Sequence, residues 1–145
     1  MSAAVWMQAL GMVFDPYVLL VIFSSALFGL FVGCIPGLTA TMATALLVPM
    51  TFFMPPVPAV AAIVTATAMA IFSGDIPGAL LRIPGTPASA AYADEAYQLT
   101  LKGQAEIALG AGLVFSAIGG LFGTAVLILF SPSLAEFALK FSSFE

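Results

Sequence analysis

The stretch Gly33-Cys34-Ile35-Pro36-Gly37-Leu38-Thr39-Ala40-Thr41 decides how this chain folds. It follows an apolar run and combines a proline, which lacks a backbone donor, with a glycine and two threonines. Such a segment ends one helix and offers a hydroxyl that caps the next. A second segment, Pro84-Gly85-Thr86-Pro87-Ala88-Ser89, repeats the pattern. Both predict helices that break inside a membrane, where irregular backbone survives only against protein or water.

The composition is that of a membrane protein. The 145 residues are 62% hydrophobic and 7% charged, with a mean hydropathy of +1.17. No charged residue lies between Asp15 and Asp75 or between Glu106 and Glu136, and one helical span needs about 20 apolar residues. We therefore expect an all-α polytopic membrane protein, a helical bundle with broken helices and Pro-Gly re-entrant hairpins.

Charge and side-chain chemistry exclude several classes of function. The formal net charge of −4 argues against binding to nucleic acid. Cys34 is the single cysteine and the chain has no histidine, so we expect no internal disulfide, no metal site and no cofactor beyond a coupling cation. An intramembrane enzyme is disfavoured because no nucleophile has a base nearby in sequence.

The apolar runs and breaks predict the order of the membrane segments. Residues 1–14 are expected to form a short interfacial helix, and Asp15-Pro16 is a good helix start. The second apolar segment is either a full span or one arm of a re-entrant hairpin. Pro132 is expected to restart the chain as an interfacial segment. The predicted spans are 17–35, 37–54, 57–73 and 104–130, with an irregular hairpin at 74–101 and an interfacial segment at 132–145.

Gly29, Gly33 and Gly37 are spaced by four along the first predicted span. Glycines at this spacing let the backbones of two membrane helices approach closely. We expect this ladder to serve helix packing.

The helix starts after the two Pro-Gly breaks are the candidate substrate site. A helix N-terminus carries unpaired N–H groups and about half a positive charge, so each can hold a carboxylate. Broken helices facing an anion near the bilayer midplane recur in transporters. The alternative is that each Pro-Gly pair is an ordinary interfacial turn. The candidate residues are Pro36, Gly37, Thr39, Thr41, Arg82, Pro84, Gly85, Thr86, Pro87 and Ser89.

Arg82 and Asp75 are charged residues in apolar surroundings, where an unpaired charge is costly. Arg82 is suited to clamp a substrate carboxylate through two hydrogen bonds. The alternatives are an ion pair with Asp75 or a side chain that reaches the interface. Asp75 is either a site for a coupling proton or cation, or a helix cap. Pro77-Gly78 is interpreted as a connector between them, and Asp94-Glu95 as a solvated acidic pair.

The two Pro-Gly segments, with the motifs that follow them in order, resemble the large membrane subunit of the tripartite tricarboxylate transporter family, TctA. The resemblance covers nearly the whole chain from about Tyr17, and the motifs agree in order. They are Gly33-Cys34-Ile35-Pro36-Gly37-Leu38-Thr39, Ala45-Leu46-Leu47-Val48-Pro49-Met50-Thr51-Phe52, Ile83-Pro84-Gly85-Thr86-Pro87-Ala88-Ser89-Ala90-Ala91, Lys102-Gly103-Gln104-Ala105, Ser116-Ala117-Ile118-Gly119-Gly120 and Pro132-Ser133-Leu134-Ala135-Glu136-Phe137-Ala138-Leu139.

The resemblance implies a multi-pass secondary carrier of the bacterial inner membrane that takes up organic carboxylates with an ion gradient. It implies three protein partners: a small TctB-like membrane subunit, a periplasmic TctC-like solute-binding protein, and the complementary C-terminal half or remainder of the large subunit. Residues 1–145 would then be the N-terminal portion of a TctA-like domain, one half of a repeat-containing transporter.

Two positions depart from the family pattern. Arg82 stands where the family usually has asparagine, and Glu95-Ala96-Tyr97-Gln98 stands where it usually has Asp-Gly-Tyr-Pro. The departures leave open which carboxylate is bound and whether protons or sodium ions are coupled to it. The alternative function is a non-transporting membrane scaffold or assembly subunit, which would need the glycine ladder but no polar site.

Overall fold

The structure, a computed structural model, describes residues 3–138, and these form helices and connecting turns without a β-strand. The predicted all-α membrane fold is confirmed. The chain divides into two compact units, before and after the Leu109–Gly110 bond. A 3-10 helix at Ser89–Ala91 lies between the fifth and sixth α-helices. The α-helices are α1 Ala3–Val13, α2 Pro16–Cys34, α3 Ala40–Thr51, α4 Pro56–Ser73, α5 Asp75–Leu81, α6 Ala93–Leu101 and α7 Ala105–Ala138.

Among residues 3–138, three helical stretches are long and apolar enough to cross a membrane: Pro16–Cys34, Pro56–Leu81 and Ala105–Ser131. The apolar helix α3 has only 12 residues, which rise about 18 Å. The hydrocarbon core of a bilayer is about 30 Å thick. The length of α3 therefore favours the re-entrant hairpin over a full second span.

Local capping explains where α2 begins and where α3 follows it. The Asp15 carboxylate accepts a hydrogen bond from the Tyr17 amide at 2.8 Å, and Pro16 occupies the first helical position. This confirms the predicted start. Gly37 turns the chain with a φ of 96°, in the left-handed region that glycine adopts without strain. The Thr39 hydroxyl then caps α3 by accepting from the Met42 amide at 3.3 Å.

Helices α2, α3 and α4 share one apolar core. One buried cluster joins Val21, Leu47, Ala62 and Ala66, and a second joins Val32, Ala43 and Ala70. Residue numbers rise from the first cluster to the second in α2 and α4 but fall in α3. Hence α2 and α4 run parallel, and α3 runs antiparallel to both.

The glycine ladder packs α2 against α4, as predicted for two of its three members. A Cβ at Gly29 would overlap the backbone of Ala66, and one at Gly33 would overlap the backbone of Ala70. The buried Ser73 hydroxyl bridges the helices by donating to the Gly29 carbonyl at 3.4 Å. Gly37 has no such neighbour within 4 Å, so its glycine serves the turn and not the ladder.

The interpretation of Pro77-Gly78 as a connector is wrong. Pro77 is the third residue of α5, in the first turn, where the helix needs no backbone N–H from it. Gly74 keeps a right-handed helical conformation and joins α4 to α5 almost without interruption. The break comes later, at Arg82, whose φ is 59°.

The predicted helix end before Pro132 is also wrong. Helix α7 continues from Ala105 to Ala138, through this proline. One proline removes a single hydrogen bond of the helical ladder, and helices in membranes tolerate that loss. The rest of the predicted interfacial segment, residues 139–145, lies outside the described part of the chain.

Candidate functional site

The two Pro-Gly segments lie at the same end of the three packed helices α2, α3 and α4, which we call the α2–α4 unit. We call residues 35–39 the first Pro-Gly loop and residues 83–88 the second. The last turn of α2, which leads into the first loop, contacts α4 where a Cβ at Gly33 would meet the Ser73 hydroxyl. In the second loop the Gly85 amide donates to the Gly74 carbonyl at 3.2 Å. Because Ser73 and Gly74 are consecutive, the second loop and the helix end that leads into the first loop both contact the junction of α4 and α5.

The first loop presents the N-terminus of α3. The Thr39 hydroxyl accepts a hydrogen bond from the Met42 amide. The amides of Ala40 and Thr41 have no acceptor within the helix, because they lie in its first turn. Four candidate residues in and beside this loop are exposed: Pro36, Gly37, Thr39 and Thr41. This end of α3 is therefore an accessible position of partial positive charge, as the substrate-site prediction requires.

The second loop is closed on itself by reciprocal hydrogen bonds. The Thr86 amide donates to the Ser89 hydroxyl at 3.0 Å, and the Ser89 amide donates to the Thr86 hydroxyl at 3.1 Å. The Ser89 hydroxyl also donates to the Thr86 carbonyl at 2.9 Å, and its side chain is buried. These two hydroxyls shape the loop. The predicted α-helix start at Gly85 is wrong, since only the three-residue helix Ser89–Ala91 follows.

Gly85 is required for the second loop to approach α4. A Cβ there would lie 2.6 Å from the Gly74 carbonyl oxygen and 2.7 Å from the Gly74 Cα, closer than real Cβ contacts. Gly85 and Thr86 are half-buried, whereas Pro84 and Pro87 are exposed on either side of them. The loop is thus fixed at its centre and presents its prolines outward.

Arg82 binds Asp94, so the alternative of an ion pair with Asp75 is wrong. The Arg82 Nε donates to the Asp94 Oδ1 at 2.6 Å, with the side chains 60% and 67% exposed. The hydrogen bond and the charge of the guanidinium lower the pKa of Asp94, and the carboxylate raises the pKa of Arg82. Asp94 is therefore exposed, as expected, but it is paired rather than only solvated.

Asp75 is bound by a tyrosine. The Tyr92 hydroxyl donates to the Asp75 Oδ1 at 2.7 Å. Burial, helped by the hydrogen bond and charge of Asp75, raises the pKa of Tyr92 to about 12, so the phenol remains a donor at neutral pH. Asp75 is the first residue of α5 and makes no capping hydrogen bond with its side chain, contrary to the helix-cap alternative.

Sequence reasoning missed Tyr92 and Asp94 as partners of the two charged residues. They lie 17 and 12 residues from Asp75 and Arg82, on the far side of a loop whose path no local pattern specifies. A third tether, from the Thr100 hydroxyl to the Ala79 carbonyl at 2.7 Å, holds α6 against α5. Asp75, the first residue of α5, and Arg82, which follows its last residue, thus both contact the segment that begins α6.

Apolar spans, a short antiparallel α3 and two Pro-Gly loops at one end define a polytopic membrane protein with broken helices, the architecture of many secondary transporters. The model of the family described as "Tripartite tricarboxylate transporter TctA family" matches residues 19–145. The chain belongs to this family, as the motifs predicted.

One curated relative is similar over most of this chain. It is described as "Uncharacterized 52.8 kDa protein in TAR-I ttuC' 3'region" of Agrobacterium vitis and is 34% identical over 123 residues. The match covers 85% of this chain and 24% of the relative. The chain therefore spans about a quarter of the length of that relative. No solved structure matches.

Proposed function

We propose that this chain is part of the membrane subunit of a tripartite system that takes up organic carboxylates with an ion gradient. The observation that carries the proposal, beyond family membership, is that the second Pro-Gly loop and the end of α2 that leads into the first loop both contact the Ser73–Gly74 junction. This arrangement brings an exposed helix N-terminus and the exposed Arg82 to the same end of the unit.

A substrate with two or three carboxylates has separated negative charges and is best held at separate positive poles. In the proposed site one carboxylate binds the free amides at the start of α3, beside Thr39 and Thr41. Another binds the Arg82 guanidinium, next to Pro84 and Gly85. The second Pro-Gly loop, shaped by Thr86, Pro87 and Ser89, forms one side of the proposed site.

Asp75 is the proposed coupling residue. Its Oδ1 is held by Tyr92, which fixes the carboxylate while the second oxygen retains the capacity to take a proton or a sodium ion. The residue lies beside Gly74, the contact point of the second loop. Binding of a proton or a sodium ion at Asp75 would in this way affect the second Pro-Gly loop, which faces the substrate.

The proposed assembly contains the remainder of the large subunit, a small TctB-like membrane subunit and a periplasmic TctC-like binding protein. Its proposed place is the bacterial inner membrane. Nucleic acid has no role in it.

Uptake of radiolabelled citrate into proteoliposomes that contain the assembled system tests the proposal. An imposed sodium or proton gradient should drive accumulation that stops when an ionophore collapses the gradient or when the binding protein is omitted. A dicarboxylate should be tested in parallel, because the substrate charge is open. Absence of uptake of either anion under every gradient would remove the proposal.

The non-transporting scaffold is supported by one observation, the contact of Gly29 and Gly33 with α4. A scaffold needs that contact but not the exposed end of α3. Substitutions at Thr41 and Arg82 that leave uptake by the assembled system intact would favour the scaffold for this chain.

A further inference from the structure

Arg82 and Asp94 are joined by a single hydrogen bond. Only the Nε of the guanidinium contacts the carboxylate, and only Oδ1 receives it. A guanidinium carries five N–H donors arranged to hold a carboxylate through two of them. Arg82 therefore keeps donors with which it can begin to bind a second carboxylate before it leaves the first.

The pair is also exposed enough to exchange. Both side chains are more than half exposed, and ion pairs in contact with solvent contribute little to stability. The lowered pKa keeps Asp94 ionised near neutral pH. Protonation therefore does not open the pair at neutral pH, and another anion can compete for Arg82 as the exposed pair exchanges with solvent.

The pair is not needed to hold α6 in place. The hydrogen bonds from Tyr92 to Asp75 and from Thr100 to Ala79 join the same two helices on their own. They keep Asp94 near Arg82 even when the ion pair is open. Asp94 can thus leave and return without α6 separating from α5.

The backbone of Arg82 is fixed by the end of α5. Among residues 3–138 it is the one residue other than glycine with a positive φ, 59°. Helices commonly end on a residue in this conformation. The Arg82 amide donates to the Gly78 carbonyl at 3.2 Å, which fixes the residue where the second Pro-Gly loop begins.

We infer that Asp94 determines substrate affinity as a tethered competitor: its carboxylate occupies Arg82 in the empty site, and a substrate carboxylate binds by replacing it. This rests on the proposed function, because it concerns the same anion. It assigns to Asp94 a role in selectivity, since only a ligand with a carboxylate in reach of Arg82 can displace it.

The test is equilibrium binding of radiolabelled citrate to the assembled complex that contains this chain. Asp94→Asn should bind citrate about two- to fivefold more tightly, the gain expected when a weak exposed competitor is removed. Asp94→Ser should behave alike and serves if the asparagine variant does not assemble. Glu95→Gln removes a neighbouring carboxylate without this contact and should change affinity by less.

The double variant Arg82→Gln/Asp94→Asn isolates the mechanism. It should bind citrate as weakly as Arg82→Gln alone, because the competitor acts only through Arg82. The inference is overturned if Asp94→Asn binds citrate no more tightly than the wild type, or if its gain persists in the Arg82→Gln background. Wild-type complex that binds no citrate overturns the proposed function as well, whereas wild-type binding with an inert Asp94→Asn overturns only the role of Asp94.

Discussion

Replacing Gly33 with alanine should separate α2 from α4 and cause the largest loss of stability of any single methyl group in the α2–α4 unit. The added Cβ would overlap the Ala70 carbonyl and the Ser73 hydroxyl. Backbone atoms of a helix cannot move aside as a flexible side chain does, so the helices must shift. Overpacking of this kind costs about 1–3 kcal/mol and occasionally more. Thermal unfolding of the purified complex in detergent should show a clearly lower midpoint.

The matched control is Gly11→Ala. Gly11 lies in α1, where a Cβ would meet no atom within 4 Å, and alanine is the better helix former by about 1 kcal/mol. Its midpoint should stay at the wild-type value or rise slightly. Equal midpoints for the two variants would contradict the close packing of α2 on α4.

The second large effect is expected on uptake. Gly85→Ala should reduce citrate uptake by at least about tenfold while the complex still assembles, because misplacing a binding group by about 1 Å can cost a hundredfold. A Cβ at Gly85 would lie 2.6 Å from the Gly74 carbonyl oxygen. The second Pro-Gly loop must then move away from α4, and Arg82 moves with it. Initial uptake rates, corrected for the amount of reconstituted protein, measure the loss.

Gly78→Ala is the control from the other Pro-Gly pair. A Cβ at Gly78 would meet its neighbours at 3.9–4.0 Å, an ordinary contact, and Gly78 lies inside α5. Uptake by this variant should be close to wild type. If both variants lose uptake equally, the close approach of Gly85 to Gly74 is not what positions the loop.

The three Pro-Gly pairs differ in the reason for their glycine. Gly37 is a glycine because of its φ, Gly85 because of a close backbone contact, and Gly78 for neither reason. The same dipeptide thus occurs in three different structural settings. The sequence predicted breaks at the first and last pairs, which hydroxyl residues follow, and an irregular connector at the middle pair, which is instead helical.

The spans followed from the sequence because apolar runs and caps are local signals. Asp15 and Thr39 cap the helices that begin beside them, and Gly29 and Gly33 pack as their spacing indicated. The continuation of α7 through Pro132 was not predicted from the sequence. The proline removes one helical hydrogen bond, but the many that remain keep the helix intact.

The partners of the charged residues could not be predicted, because they depend on where a loop returns the chain. Arg82 was expected near Asp75, but Asp75 begins α5 and Arg82 follows its last residue, so the two lie at opposite ends of this helix. The structure instead gives each of them a partner at the start of α6, Asp94 and Tyr92. Nothing local distinguishes Asp94 from Glu95, since both are exposed acidic residues.

The central claim is that both Pro-Gly loops line one path for a carboxylate, and protection of introduced cysteines tests it most directly. In a Cys34→Ala background, Thr41→Cys places a thiol two residues beyond the first loop and Pro87→Cys places one in the second, both at exposed positions. Lys102→Cys, also exposed and outside both loops, is the control.

Modification by a charged thiol reagent is followed in the detergent-solubilised complex with and without citrate. Citrate should slow modification at both loop positions severalfold and leave the control unchanged. Equal rates with and without citrate at both loops, in a complex that still transports it, would contradict the claim.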